Sequence, residues 1–259
     1  MEELLIDTQN GVRTLTLNRP ERMNAIHDAF STQIEQALQQ ASADDDVRVV
    51  VITGKGKAFC AGLDLTMAQD KSTTRHEQLD ELGWVGRQAL GIVHCDKPVI
   101  AAINGVAAGA GLSLALACDL CFMTQSARVT TGYIRRGLNP DAGMSYFLPR
   151  LVGKAKATEL IFTGRDIQAD EAERIGLVSS VFPDDIFMDR IRDIAEELAS
   201  GPPIALTLSK RLLTASPDVE LITILKQEYA FIKQCFGTED VKEGVQAFLE
   251  KRKPEFVGK

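Results

Sequence analysis

Residues 97–120 read KPVIAAINGVAAGAGLSLALACDL, and the fold turns on how they are parsed. Pro98 introduces VIAAI, a short apolar run with the character of a covered strand. Glycines at 105, 109 and 111 then break the run. The small apolar stretch 107–117 carries no charge and reads as a buried helix. A strand that enters a buried helix through a glycine turn is a building block of a sheet covered on both faces. Working outward, residues 47–53 (VRVVVIT) form a second β-branched run of the same kind, and residues 54–65 (GKGKAFCAGLDL) leave it through another glycine-bearing turn. Residues 12–17 alternate like a half-buried strand, and 31–43 carry apolar side chains at helical spacing. Past Val152 the pattern becomes mostly helical, over 154–162, 169–175, 189–200, 204–215, 221–236 and 239–253. Gly164, Gly176, Gly201-Pro202-Pro203, Pro217 and Gly237 fall at the ends of these spans, where glycine relieves a left-handed cap and proline cannot continue a helix. The expected class is mixed α/β with a helical C-terminal tail.

The two glycine turns are the first candidates for chemistry. Glycine lets backbone approach a ligand, and the unpaired amides at a helix start point outward as donors. Two such turns can aim two N–H groups at one oxygen. A tight bend or close helix packing explains each turn equally well at this level. A dinucleotide site does not fit, because the stretch Gly54 to Phe59 lacks the third glycine of G-x-G-x-x-G. Neither a Walker loop nor a G-x-S-x-G elbow occurs.

Composition narrows the classes further. The chain has 259 residues, 45% hydrophobic and 25% charged, with a formal net charge of −7. That sign disfavours a nucleic acid as main partner, since such binding draws most of its affinity from cations on phosphates. No run of eighteen apolar residues suits a bilayer, and the opening MEELLIDTQN has no signal-peptide pattern, so a cytoplasmic protein without a membrane partner is expected. The five cysteines, Cys60, Cys95, Cys118, Cys121 and Cys235, do not make a disulfide framework in a chain of this length. Cys118 and Cys121 form a C-x-x-C, but nothing completes a zinc set around them, and no metal is expected.

Four segments in order, LNRPERMNAI (17–26), KAFCAGLDL (57–65), the 97–120 stretch and RRGLNPDAGMSYFLPRLVG (135–153), resemble the enoyl-CoA hydratase/isomerase (crotonase) superfamily. The segment 162–182, FTGRDIQADEAERIGLVSSVF, is similar as well. The resemblance implies a spiral of ββα repeats over residues 1–200 and a helical trimerisation region over 201–259, assembled as a homotrimer or a dimer of trimers. It also implies an acyl-CoA thioester as partner, with coenzyme A part of the substrate and no permanently bound cofactor.

By position, the resemblance assigns an oxyanion hole to the backbone N–H groups of Leu63 and Ala110. Its hydratases use two glutamates, and the aligned positions here hold Ser113 and Tyr133. Neither a serine hydroxyl nor a phenol near its usual pKa of about 10 is a good base at neutral pH. Asp141, eight residues after Tyr133, matches the aspartate that family isomerases place against the acyl group, and is the candidate catalytic residue. From the residues alone it reads as a turn or helix N-cap aspartate after Pro140, and the catalytic role comes from the resemblance. To act as a base it needs burial, from Tyr133, Ile134, Leu138 or Phe147. Tyr133, Ser113, Met67 and Leu138 are expected around the acyl pocket. Arg19, Arg22 and Lys253 are candidates for CoA phosphates, and Ala61, Asp64 and Leu65 are expected along the CoA path, where Asp64 of the A-G-x-D pattern also reads as a structural acceptor of backbone hydrogen bonds.

The closest motifs are those of ring-epoxide phenylacetyl-CoA and 3-enoyl-CoA isomerases. Family dehalogenases also need a histidine where Gly86 stands, and His94 lies too far along the chain. An enoyl-CoA hydratase with an atypical acid/base pair, and a non-catalytic acyl-CoA- or RNA-binding protein on the same fold, are the alternatives.

Overall fold

The structure is a computed structural model that describes residues 2–66, 75 and 79–259; Met67 lies outside them. It opens on a hairpin of β1 (Leu4–Gln9) and β2 (Val12–Leu17). Asn10 and Gly11, with φ of 52° and 77°, supply the two left-handed turn residues that a two-residue hairpin needs. Helix α1 (Asp28–Ala43) follows, with His27 capping the Phe30 amide and Phe30, Ile34, Ala37, Leu38 and Ala41 on its buried stripe.

Three passes of one pattern come next. β3 (Val49–Gly54) leads to β4 (Ala58–Cys60) and α2 (Gly83–Val93); β5 (Val99–Ile103) leads to β6 (Val106–Ala108) and α3 (Ala110–Leu116); β7 (Leu120–Thr124) leads to β8 (Arg128–Thr130) and α4 (Met144–Val152). The first strand of each pass joins a larger sheet of order β1-β2-β3-β5-β7-β10, and the second joins a smaller sheet of order β4-β6-β8-β9. From β2 to β10 the neighbours in the larger sheet are parallel. This is the expected spiral of ββα repeats. After α5 (Lys154–Thr163), the chain returns to the sheets through β9 (Asp166–Gln168), α6 (Ala169–Arg174) and β10 (Ser180–Phe182).

The continuous apolar runs are explained by what covers each face. In β3, Val50 and Ile52 enter the main core under α1, while Val49 and Val51 face α7 (Phe187–Ala199) and its Phe187, Ile191 and Ala195. β5 divides likewise, with Ala101 and Ile103 on one side and Ile100 and Ala102 on the other. Two covered faces leave no polar alternation to read.

Three helices complete the chain: α8 (Pro203–Ala215), α9 (Leu221–Phe236) and α10 (Glu239–Glu250). They are tied to the spiral. Lys210 of α8 reaches Asp119 at 2.7 Å and donates to the carbonyls of Ile92 and Lys97 at 3.1 Å each. The last residues fold back toward the start of β3, where Arg48 donates to the Val257 carbonyl at 3.3 Å, and Asp240 of α10 accepts from the Val257 amide at 2.7 Å. Among the described residues, no helix is long and apolar enough to cross a membrane.

Two local expectations are corrected. The helix read over 107–117 starts only at Ala110, because residues 106–108 pair with β4 and β8. The region past Val152 also contains two strands within its helices.

Candidate active site

β4 and β6 lie side by side and parallel, so the two glycine turns that follow them meet. On the first, Ile26 donates to the Gly62 carbonyl at 2.7 Å and Asp64 donates to the Ile26 carbonyl at 2.8 Å. This one-residue parallel bridge uses the amides on either side of Leu63, and the Leu63 N–H has no acceptor among the described residues. On the second, Gly109 (φ 53°) turns the chain into α3. The Ala110 N–H, first in that helix, is likewise without an acceptor, as the opening amides of a helix are. A Cβ on Gly62 (φ 95°) would stand 2.6 Å from the Ala108 oxygen and 3.3 Å from the Ala110 nitrogen. One on Gly111 would meet the Cys60 sulfur at 2.7 Å. Only glycine lets the turns touch. Around them is a small cavity of about 50 Å³, bordered by Leu63, Ala110, Tyr133, Leu138 and Asp141.

The first turn is held from behind by the LNRPERMNAI segment. Asn24, buried and left-handed at φ 58°, donates to the carbonyls of Ala58 at 2.7 Å and Lys55 at 3.1 Å and accepts from the Arg19 amide at 2.9 Å. Ala61 donates to the Met23 carbonyl at 3.0 Å. Arg19 pairs with Asp64 at 2.9 Å and with Glu3 at 3.0 Å, and also donates to the Ala25 carbonyl. The Thr66 hydroxyl and the Arg19 guanidinium, outweighing burial, hold the Asp64 carboxyl below the usual carboxylate range.

These contacts correct two assignments. Arg19 and Asp64 are buried and bonded to one another, so neither is free to meet coenzyme A. Arg22 is exposed, with no ion pair among the described residues. Lys253 is exposed on the C-terminal tail, whose Val257 carbonyl accepts from Arg48, and does not border the cavity. Ala61 and Leu65 border the cavity.

On the other wall, Tyr133 is buried and its hydroxyl donates to Asp141 Oδ1 at 2.7 Å. Ser113, fully buried, places Oγ 3.0 Å from the same phenol oxygen. Burial, reinforced by the Asp141 carboxylate, pushes the Tyr133 phenol far above its usual range, so it remains a neutral donor. The Asp141 side chain does not cap a helix; α4 begins behind Gly143 with no side-chain cap. The burial expected around Asp141 is not provided by this chain. Asp141 is exposed, and Ile134 and Leu138 are themselves 48% and 45% exposed.

Sequence reasoning missed Asn24 and Arg136, the latter bordering the cavity with Nη1 on the Gly132 carbonyl at 3.1 Å. Asn24 alone left a signal, as an asparagine beside a proline-started turn, a residue type that tolerates left-handed backbone. Cys118 and Cys121 are buried thiols, the latter pushed up to about 12 by desolvation. No metal-ligand cluster occurs among the described residues.

Leu63 and Ala110, on turns of consecutive repeats, thus border one cavity with amides that have no acceptor among the described residues. The chain belongs to the enoyl-CoA hydratase/isomerase family, whose profile matches residues 7–259. Similar curated proteins include a 1,2-epoxyphenylacetyl-CoA isomerase of Escherichia coli K12, 36% identical, and a 2,3-dehydroadipyl-CoA hydratase of the same organism, 40% identical, each with 100% of both chains covered. Among solved structures, an enoyl-CoA hydratase from Bacillus anthracis superposes with a TM-score of 0.92 at 36% identity over 100% of both chains.

Proposed function

We propose that the protein is an acyl-CoA isomerase that moves a proton beside a thioester-stabilised enolate. Asp141 takes a proton from carbon 2 or carbon 4 of a 3-enoyl-CoA. The thioester oxygen, held by the N–H groups of Leu63 and Ala110, carries the charge of the dienolate. Asp141 then returns the proton to the other position, giving a 2-enoyl-CoA. A ring-epoxide acyl-CoA is a second substrate type for the same enolate-holding site. Each amide aimed at the developing charge is worth about 3–4 kcal/mol of transition-state stabilisation.

The observation that carries this reading is the make-up of the cavity wall. Among the described residues, Leu63 and Ala110 have amides without an acceptor and border a space with Asp141 as its one carboxylate, while hydroxyls occupy positions 113 and 133. Isomerisation needs a single group to give and take one proton. Hydration needs an activated water and a separate donor. The hydratase reading is nevertheless favoured by the names of several relatives. Coenzyme A enters as part of the substrate, and the exposed Arg22 is a candidate to meet its phosphates. Lys253, exposed on the C-terminal tail, is a second candidate cation for those phosphates.

Assembly as a trimer or a dimer of trimers, in the cytoplasm, accompanies this reading. It is supported by apolar side chains that the last helices leave in solvent, Leu221 at 72%, Phe236 at 68%, Phe248 at 82% and Leu249 at 69%.

The test is product analysis after incubation with 3-enoyl and 2-enoyl thioesters. Conversion of the 3-enoyl to the 2-enoyl compound is expected. A 3-hydroxy product as the main outcome would establish the hydratase instead, and tight CoA binding without turnover would leave a binding protein.

A further inference from the structure

We infer that Ser113 and Tyr133 are positioning residues that index the Asp141 carboxylate to the amide of Ala110, and so set the reach of the base beside the held carbonyl. The inference rests on the isomerase reading above. Ser113 sits three residues after Ala110 in the same short helix, Ala110–Leu116, and its own amide donates to the Gly109 carbonyl at 3.0 Å. From there a line of hydroxyls runs to the acid: Ser113 Oγ to the Tyr133 oxygen at 3.0 Å, and Tyr133 to Asp141 Oδ1 at 2.7 Å.

The proton directions follow from acceptor strength. A carboxylate is the stronger acceptor, so the phenol donates to Asp141 and Ser113 donates to the phenol. With both hydroxyl protons so directed, the Asp141 carbonyl, 3.3 Å from Ser113 Oγ and 3.4 Å from the phenol oxygen, neighbours the pair without taking a proton from it. Asp141 needs the phenol's hold. It stands exposed on a loop whose next residues, Ala142 and Gly143, have φ of 50° and 82°. Oδ2 has no partner among the described residues and is the oxygen left to carry the moving proton.

The test measures kcat, KM and melting temperature with a 3-enoyl thioester for wild type, Tyr133→Phe, Ser113→Ala, the double variant and Asp141→Asn. Tyr133→Phe is expected to lower kcat by about 10- to 100-fold with KM and melting temperature nearly unchanged. Ser113→Ala is expected to lower kcat less and to add nothing once the Tyr133 hydroxyl is gone, because it acts only through that hydroxyl. An inactive Asp141→Asn beside a fully active Tyr133→Phe would overturn this inference alone. A fully active Asp141→Asn would overturn it together with the isomerase reading. If Tyr133→Phe fails to fold, Ser113→Ala decides: a kcat equal to wild type overturns the inference, and a lowered kcat with unchanged KM sustains it.

Discussion

Arg19 and Asp64, 45 residues apart in the chain, meet at 2.9 Å behind the Ala61-Gly62-Leu63 turn, with side chains only 10% and 5% exposed. The pair joins the N-terminal segment to the residue that follows Leu63, so it governs where the Leu63 amide points. Replacing Arg19 by Met leaves a buried carboxylate unpaired. The expected loss is about 3–5 kcal/mol of stability, read by urea unfolding, and kcat should fall more than KM rises. A variant as stable and active as wild type would show the pair to be idle.

The same pair gives acid unfolding a component of known sign. The folded Asp64 carboxyl lies below its ordinary value, so the unfolded chain takes up the proton first as pH falls. Its contribution is complete above the unfolded value of about 4 and disappears as pH drops through the lower folded value. Urea midpoints measured between roughly pH 2 and 6 should therefore fall less steeply below about pH 4 in Asp64→Asn than in wild type. Parallel curves would refute it.

Gly111 has no room for a side chain, since a Cβ there would lie 2.7 Å from both the carbonyl carbon and the sulfur of Cys60. Gly111→Ala must push α3 away from β4 and spread the two amides. A destabilisation of about 1–3 kcal/mol is expected, together with loss of turnover while the protein remains folded. Retained kcat in this variant would argue against amide pairing as the source of rate.

Asp141→Asn keeps size and shape but removes the base. Turnover of a 3-enoyl thioester should drop by at least about 10²- to 10⁴-fold, with acyl-CoA affinity, measured by calorimetry, close to wild type.

Phe248 and Leu249, 82% and 69% exposed in the single chain, are costly to leave in water. If the native chain assembles as proposed, changing both to Asp should convert the trimer or hexamer to a folded monomer, read by light scattering. An unchanged mass would move the contact elsewhere.

The long elements were legible because burial imposes a period on them. The stripe of α1 and the spans of α8 and α9 lie within a residue or a few of where spacing and Gly/Pro punctuation put them. The strands Ala58–Cys60, Val106–Ala108 and Arg128–Thr130 have three residues each, too few for any period to show. Their pairing, which brings the turns together, is a tertiary fact. Helix Gly83–Val93 was hidden by Gly83, Gly86 and Gly91, which disfavour helix until packing overrides propensity. At the site, family likeness pointed to Leu63, Ala110 and Asp141, which border one cavity. It could not tell that the arginine of LNRPER faces inward, because an Arg that grips a phosphate and one that grips a buried Asp look alike in one dimension.

The adjacency of β4 and β6 has a wider consequence. Neighbouring strands run about 4.8 Å apart, and two N–H donors at that separation, each about 2.9 Å from a shared oxygen, subtend an angle close to that between its lone pairs. On the proposed reading, the anion cradle is a by-product of the coil's pitch and is inherited by any sequence that winds the same way. Reaction type is free to drift through the side chains at 113, 133 and 141 alone, much as interchangeable bits fit one drill chuck.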